Sequence, residues 1–353
     1  MSGFLSWISG KFQRNRFASG SAAGSHILEH RSRLLNAAQI DRNTEDESHR
    51  EPLQKLEEHL FCWLLDASPR QLDEPSPHAG KVLKELRRRI EQGELEELPR
   101  QPLTLPTLMR TLSTDTASRK EVTTIILSDA SLTDQVLQVA NSPYFKVGDQ
   151  PVESVDQAVF LLGLDGIRNV ASASVMRPML AARNSSEALF AQRVWRWGLT
   201  CARSAELIAL TQRQDSTSYF MVGLLPALAY ITLRREVQRI YRKKLPDAQP
   251  TAAILHEVLR RFDWTTAQKI AEAWNLPVRY HSLLLTAERP MPGETSTPLN
   301  DGIILGTREV LRHAHQRNLS DEELRSLLSL DDNQFAKVRL ILSRLLDEGL
   351  SAN

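Results

Sequence analysis

Leu103-Thr104-Leu105-Pro106, Ser128-Asp129-Ala130-Ser131-Leu132, Val139-Ala140-Asn141-Ser142-Pro143-Tyr144-Phe145 and Val152-Glu153-Ser154-Val155-Asp156-Gln157-Ala158-Val159-Phe160-Leu161-Leu162-Gly163 follow one another in this chain. Between and within them the apolar residues keep helical spacing. Leu105, Leu108, Met109 and Leu112 share one face, and Val122, Ile125, Ile126 and Leu127 share the next. Leu132, Val136, Leu137, Val139 and Ala140 make a third. Asn141-Ser142-Pro143 ends that helix, because proline disfavours helical backbone at the residue before it. Ser154 reads as an N-cap for Val155–Leu162, with Gly163 as the stop. Few stretches alternate with the two-residue period of strands, so periodicity predicts an all-α, multi-helix bundle.

Toward the N-terminus, Phe4, Leu5, Trp7, Ile8 and Phe12 fall on one helical face beside Lys11, Arg14 and Arg16. Such a basic amphipathic segment, residues 4–16, docks on protein or lies on an anionic membrane surface. It lacks the layout of a secretory signal. Ser19–Gly24 reads as a flexible linker, which closes a first unit at residues 1–24. Residues 25–95 form a helical region of unassigned role. His26–Ile40 is a candidate helix, and the charged stretch Asp41–Arg50 is expected to be a loop. Leu53, Leu56, Leu60, Trp63 and Leu64 resume helical spacing, and Asp66–Arg70 breaks it. Lys81–Gln92 is helical with Gly93 as its stop, and Arg87-Arg88-Arg89 reads as an exposed face.

The composition excludes several classes. The 353 residues carry a formal charge of +1, with 41% hydrophobic and 25% charged residues. No global field draws the chain to nucleic acid, and none is expected as a partner. No apolar run approaches the roughly 20 residues of a membrane span. Cys62 and Cys201 stand alone, which predicts a reduced, cytoplasmic setting. Gly-rich phosphate loops, nucleophile elbows and Walker motifs are absent.

Toward the C-terminus, Phe190, Val194, Trp195, Ala202 and Leu207 lead to Tyr219-Phe-Met-Val-Gly223-Leu-Leu225, then to Ala273-Trp274-Asn275-Leu276-Pro277. After the Pro-rich loop Arg289–Glu294, residues 299–317 form another helix. Ser320–Glu323 is a capping box, and Asp331 or Asp332 opens the last helix. In this order the motifs of residues 98–305 resemble the HDOD domain, an all-α output module of bacterial signalling proteins related to the HD metal-dependent phosphohydrolases. The resemblance implies an HDOD unit at 96–305, a helical tail at 306–353, and a setting in bacterial signalling.

Active HD relatives hold divalent metal with a His on one helix, a His-Asp doublet on another and a distal Asp. Imidazole and carboxylate supply lone pairs of suitable hardness, and the metal generates hydroxide at neutral pH. Carried onto this chain, those positions fall at Trp197, at Pro226 and Ala227, and at Asp301. Three of the four offer no ligand. A helix-interior proline also removes a hydrogen bond at a cost of about 3 kcal/mol or more, so Pro226 is expected in a first turn or at a kink. A downstream His-His pair of the relatives falls near Ala287 and Glu288. His281 stands alone and reads as a packed or surface histidine.

The expectation is a non-enzymatic regulatory module with no metal and no cofactor, acting on other signalling proteins. Asn141, Ser142 and Tyr144 are contact candidates, although Asn-Ser-Pro is also good turn chemistry. The basic helix end Arg239, Arg242, Lys243 and Lys244 suits a nucleotide phosphate, a phosphoprotein or RNA, or else is a solvated face. A divergent phosphohydrolase and a cyclic-nucleotide-binding module are the alternatives.

Overall fold

In the computed structural model, residues 45–101, 118–142, 145, 148, 150–288 and 296–348 are described, and they form thirteen helices and no strand. These are α1 (Glu45–Leu65), α2 (Pro69–Leu72), α3 (Ala79–Gln92), α4 (Arg119–Leu127), α5 (Ala130–Ala140), α6 (Val155–Leu180) and α7 (Ser185–Thr211). They continue with α8 (Ser216–Lys244), α9 (Ala252–Ala273), α10 (Val278–Glu288), α11 (Pro298–His313), α12 (Asp321–Leu327) and α13 (Asp332–Glu348). The all-α expectation holds. The amphipathic segment at residues 4–16, the helix at His26–Ile40, the Leu105–Leu112 face, Tyr144 and the loop Arg289–Glu294 lie outside the described residues.

Short polar side chains start most of these helices. Ser118, Asp129, Ser154, Asn184, Asp215, Thr251, Thr297 and Ser320 each accept a hydrogen bond from a first-turn backbone N–H. That satisfies donors a helix cannot satisfy internally. Gly163 departs from helical geometry (φ 68°, ψ −177°), so α6 is two helical segments across a kink. The expected stop at Gly163 is there, but helix resumes at once beyond it.

Two local expectations are corrected. The charged stretch 41–50 is helical from Glu45 onward. Pro226 neither starts nor breaks a helix: α8 runs through it from Ser216 to Lys244. Every residue from Ser218 to Leu233 is buried, and that packing offsets the missing hydrogen bond so that the helix continues through the proline.

α7 is the central helix, with α8 packed along one side and α11 along another. Glycines allow very close approach. A Cβ on Gly302 would lie 2.5 Å from the Ala205 Cα, and one on Gly306 would lie 2.6 Å from the Cys201 Cα. A Cβ on Gly223 would lie 2.7 Å from the Ala202 Cα. α9 covers the outer side of α8, α1 packs on α7 and α11, α3 on α8 and α9, and α13 on α7 and α11. Leu56 of α1, Leu86 of α3, Ile208 of α7, Leu311 of α11 and Val338 of α13 belong to one buried apolar cluster. By length and composition α6 and α8 could cross a membrane, yet the apolar stretch of α8 is mostly buried inside this core.

Candidate functional site

The positions where HD relatives hold metal lie on α7, α8 and α11, and their side chains fill the space between those helices. Trp197 is 2% exposed, and its indole N–H donates to the Thr307 hydroxyl of α11 at 2.9 Å. Its ring stacks on Tyr230 of α8, with centroids 4.8 Å apart and planes 11° from parallel. Tyr230 in turn faces Phe61 of α1 at 5.9 Å, and Phe61 meets His256 of α9 at 4.8 Å. Four helices thus contribute one ring each to a continuous aromatic column.

At the doublet position the helices touch. A Cβ added to Gly198 would overlap the Ala227 methyl group. Ala227 thus packs directly on the α7 backbone at Gly198, and neither Pro226 nor Ala227 carries a donor atom on its side chain. Asp301 is fully buried and points elsewhere: its Oδ2 accepts the Ser329 backbone N–H at 3.1 Å, tying α11 to the loop before α13. Burial raises its carboxyl to about 6, against hydrogen bonds from Ser296 and Ser329 that lower it. No group of three His, Cys, Asp or Glu side chains able to hold a metal forms among the described residues. The residues at these positions do not fit a metal. Nor does the downstream pair: Glu288 is buried and accepts from Gln268, and the Ala287 carbonyl accepts from Asn300 at 2.9 Å. His281, partly buried on α10, stands apart from them.

Asn141 forms a structural staple. Its side-chain amide donates to the carbonyls of Leu137 (2.9 Å) and Val152 (2.7 Å), and its Oδ1 accepts the Val152 N–H at 2.7 Å. It therefore caps α5 and fixes the extended entry to α6. Ser142 donates to the Val139 carbonyl at 2.6 Å. Phe145 is buried edge-on against Phe220 of α8, beneath the Arg203 guanidinium.

The basic end of α8 is a clamp. Arg239 pairs with Glu96 and with Glu97 (3.2 Å), Lys243 with Glu96 (2.8 Å) and Lys244 with Glu85 (2.7 Å). Beneath them Glu236, wholly buried, accepts from Arg89 at 2.9 Å and from the Glu97 backbone N–H at 2.7 Å. Arg89 is thus inside, not on the exposed face expected for Arg87–Arg89. Arg235 donates to Glu187 (2.7 Å) and to the carbonyls of Met179 (2.9 Å) and Ala181 (2.8 Å). Of the four basic candidates, Arg242 alone has no partner among the described residues. It faces a cleft of about 370 Å³ at the start of α7.

Glu96, Glu97, Phe61 and Tyr230 were not singled out from sequence. The acidic run Glu94-Leu95-Glu96-Glu97 was a usable signal, since it complements the basic run Arg239–Lys244.

Residues 98–290 match the family model of the HDOD domain, more than half of the chain. No curated protein sequence matches. Among solved structures, a protein of Shewanella amazonensis provisionally described as a metal-dependent phosphohydrolase is similar, at 17% identity and a TM-score of 0.58 over 78% of this chain and 100% of that one. A Geobacter sulfurreducens HDOD domain protein of unknown function aligns at 17% identity and a TM-score of 0.50, over 73% of this chain and 96% of that one. A protein of Marinobacter aquaeolei provisionally described as a signal transduction protein aligns at 18% identity and 0.52, over 78% and 65%. At these identities the likeness is one of fold.

Proposed function

Because the chain belongs to the HDOD family, we propose that it is a non-catalytic regulatory module of bacterial signalling that works in the cytoplasm through contacts with other signalling proteins. The observation that carries this reading is the filled ligand space: an indole stacked on Tyr230 where the first His would stand, and helix backbones in contact where the doublet would stand. Hydroxide generation and phosphate stabilisation in HD chemistry need a metal, and a metal needs several convergent donors. Here the one remaining carboxylate is bound to the backbone of its own chain. Deprived of that chemistry, a rigid helical scaffold acts through its surface. The two free thiols fit a reducing compartment; burial pushes Cys62 up to about 11 and Cys201 higher still, so neither is an activated nucleophile.

Elemental analysis of the purified chain after exposure to Mn²⁺, Fe²⁺, Zn²⁺ and Mg²⁺ tests the reading, together with hydrolysis assays on nucleotides and cyclic dinucleotides. We expect no stoichiometric metal and no turnover above the no-protein rate. Close to one metal per chain, lost in Asp301→Ala along with hydrolysis, would reverse the assignment in favour of a divergent phosphohydrolase.

A further inference from the structure

The cleft in front of Arg242 lies where four segments meet: the acidic stretch ending at Glu97, the turn into α7, the last turns of α8 and the 246–250 loop. Its volume of about 370 Å³ falls in the range of small-molecule sites, roughly 300–1,000 Å³. The two carboxylates in its wall are already matched. Glu187 accepts Arg235 Nε and the Arg183 backbone N–H at 2.8 Å. Glu97 lies between Arg183 at 2.5 Å and Arg239 at 3.2 Å. Arg242 is therefore a surplus cation, and Arg183, with a side chain 59% exposed, can turn from Glu97 toward a competing anion.

Donors without partners converge on the same space. Tyr241 is 3% exposed and lines the cleft, and its hydroxyl makes no hydrogen bond among the described residues. Gln238, one turn earlier on the same wall, is likewise unpartnered. Ser186, in the first turn of the 27-residue α7, also lines the opening. A tyrosine hydroxyl, an amide side chain, two guanidinium groups and a helix N-terminus form a donor set, and what they lack is an acceptor-rich, negatively charged group. Phosphate oxygens supply that, and arginine holds them with charge-assisted hydrogen bonds.

We propose that this cleft binds a small phosphomonoester, with Arg242 and Arg183 on the phosphate and the Tyr241 hydroxyl donating to it. The site adds an input to the regulatory scaffold. Phosphate drawing Arg183 away from Glu97 breaks the tie between the 94–97 segment and the turn into α7. A cleft of this size admits a mononucleotide, whereas a phosphorylated protein segment would have to leave most of its length outside.

Calorimetric titration of the full chain with orthophosphate, guanosine monophosphate and guanosine decides it. We expect the two phosphate-bearing probes to bind and to compete with each other, and guanosine to give no heat. Arg242→Gln is expected to weaken binding by about tenfold or more, and Tyr241→Phe by a few-fold. Arg242 is exposed and unpaired, so thermal melts of Arg242→Gln should match the parent and exclude unfolding as the cause. Absence of binding up to about 10 mM of either phosphate probe, or unchanged affinity in Arg242→Gln, would overturn the proposal. So would a phosphoserine peptide that binds more tightly than the mononucleotide.

Discussion

Asn141 shows how much one side chain can hold. It makes three hydrogen bonds that join the end of α5 to the start of α6. Asn141→Ala should cost about 1–3 kcal/mol, and Phe145→Ala about 3–5 kcal/mol, in urea unfolding at pH 7. Midpoints unchanged from the parent would mean the turn is a contact surface and not a structural staple. Asp301 gives a pH-dependent case. Its folded carboxyl titrates at about 6, above the ordinary 3.8, so the folded chain holds the proton more tightly than the unfolded chain. Its contribution to stability is complete below pH 3.8 and is lost as pH rises to about 6, on the order of 3 kcal/mol. His256 runs the other way: burial lowers it to about 4, so its neutral form stabilises the fold above pH 6.5 and that gain is lost as pH falls through 4. The two oppose each other in one window, and a variant separates them. Asp301→Asn is expected to match the parent near pH 4 and to exceed it by about 1–3 kcal/mol near pH 8. Parallel profiles across pH 4–8 would show that Asp301 is not strained. The sequence made the missing ligands legible, because Trp197, Pro226 and Ala227 stand at identifiable motif positions. It could not show what replaced them, because Trp197 meets Tyr230 and Phe61 only through the tertiary fold.

Helices were readable where local chemistry sets them. Ser154, Ser320 and Gly93 act through bonds to residues a few positions away, and each marks the boundary expected of it. Errors arose where distant contacts dominate. Pro226 sits mid-helix because other helices enclose it, and Arg89 is buried because Glu236 lies across from it on α8. The same distant pair yields a prediction. Glu236→Gln removes the fully buried partner of Arg89, which keeps Glu85 (3.0 Å) and Glu96 (3.6 Å), and should cost about 1–3 kcal/mol, whereas Glu96→Ala, at the exposed rim of the clamp, should cost about 1 kcal/mol or less. Equal losses in chemical denaturation would contradict this ranking of the clamp's parts. Close helix packing gives a second comparison. Gly306→Ala pushes a methyl group into the Cys201 backbone and should cost about 1–3 kcal/mol, while Gly80→Ala, with open space around it, should be neutral or slightly stabilising.

At the scale of the whole molecule, α1 and α3 from the N-terminal side and α13 from the tail contribute to the same core as α7 and α8. Arg339 of α13 pairs with Glu309 (3.4 Å) and Asp321 (2.5 Å), and Phe335, Val338 and Leu342 are buried beside them. Deleting residues 321–353 should therefore lower the melting temperature of the remainder, and the intact chain should unfold in one calorimetric transition. Two separate transitions, one unaffected by the deletion, would show that the tail is an independent unit. The aromatic column runs from Trp197 through Tyr230 and Phe61 to His256 and so passes through α7, α8, α1 and α9. It is the molecule's keystone: a smaller side chain at any one of these four positions takes a packing face from its neighbour in the stack, so damage to one ring is felt by helices that it does not belong to.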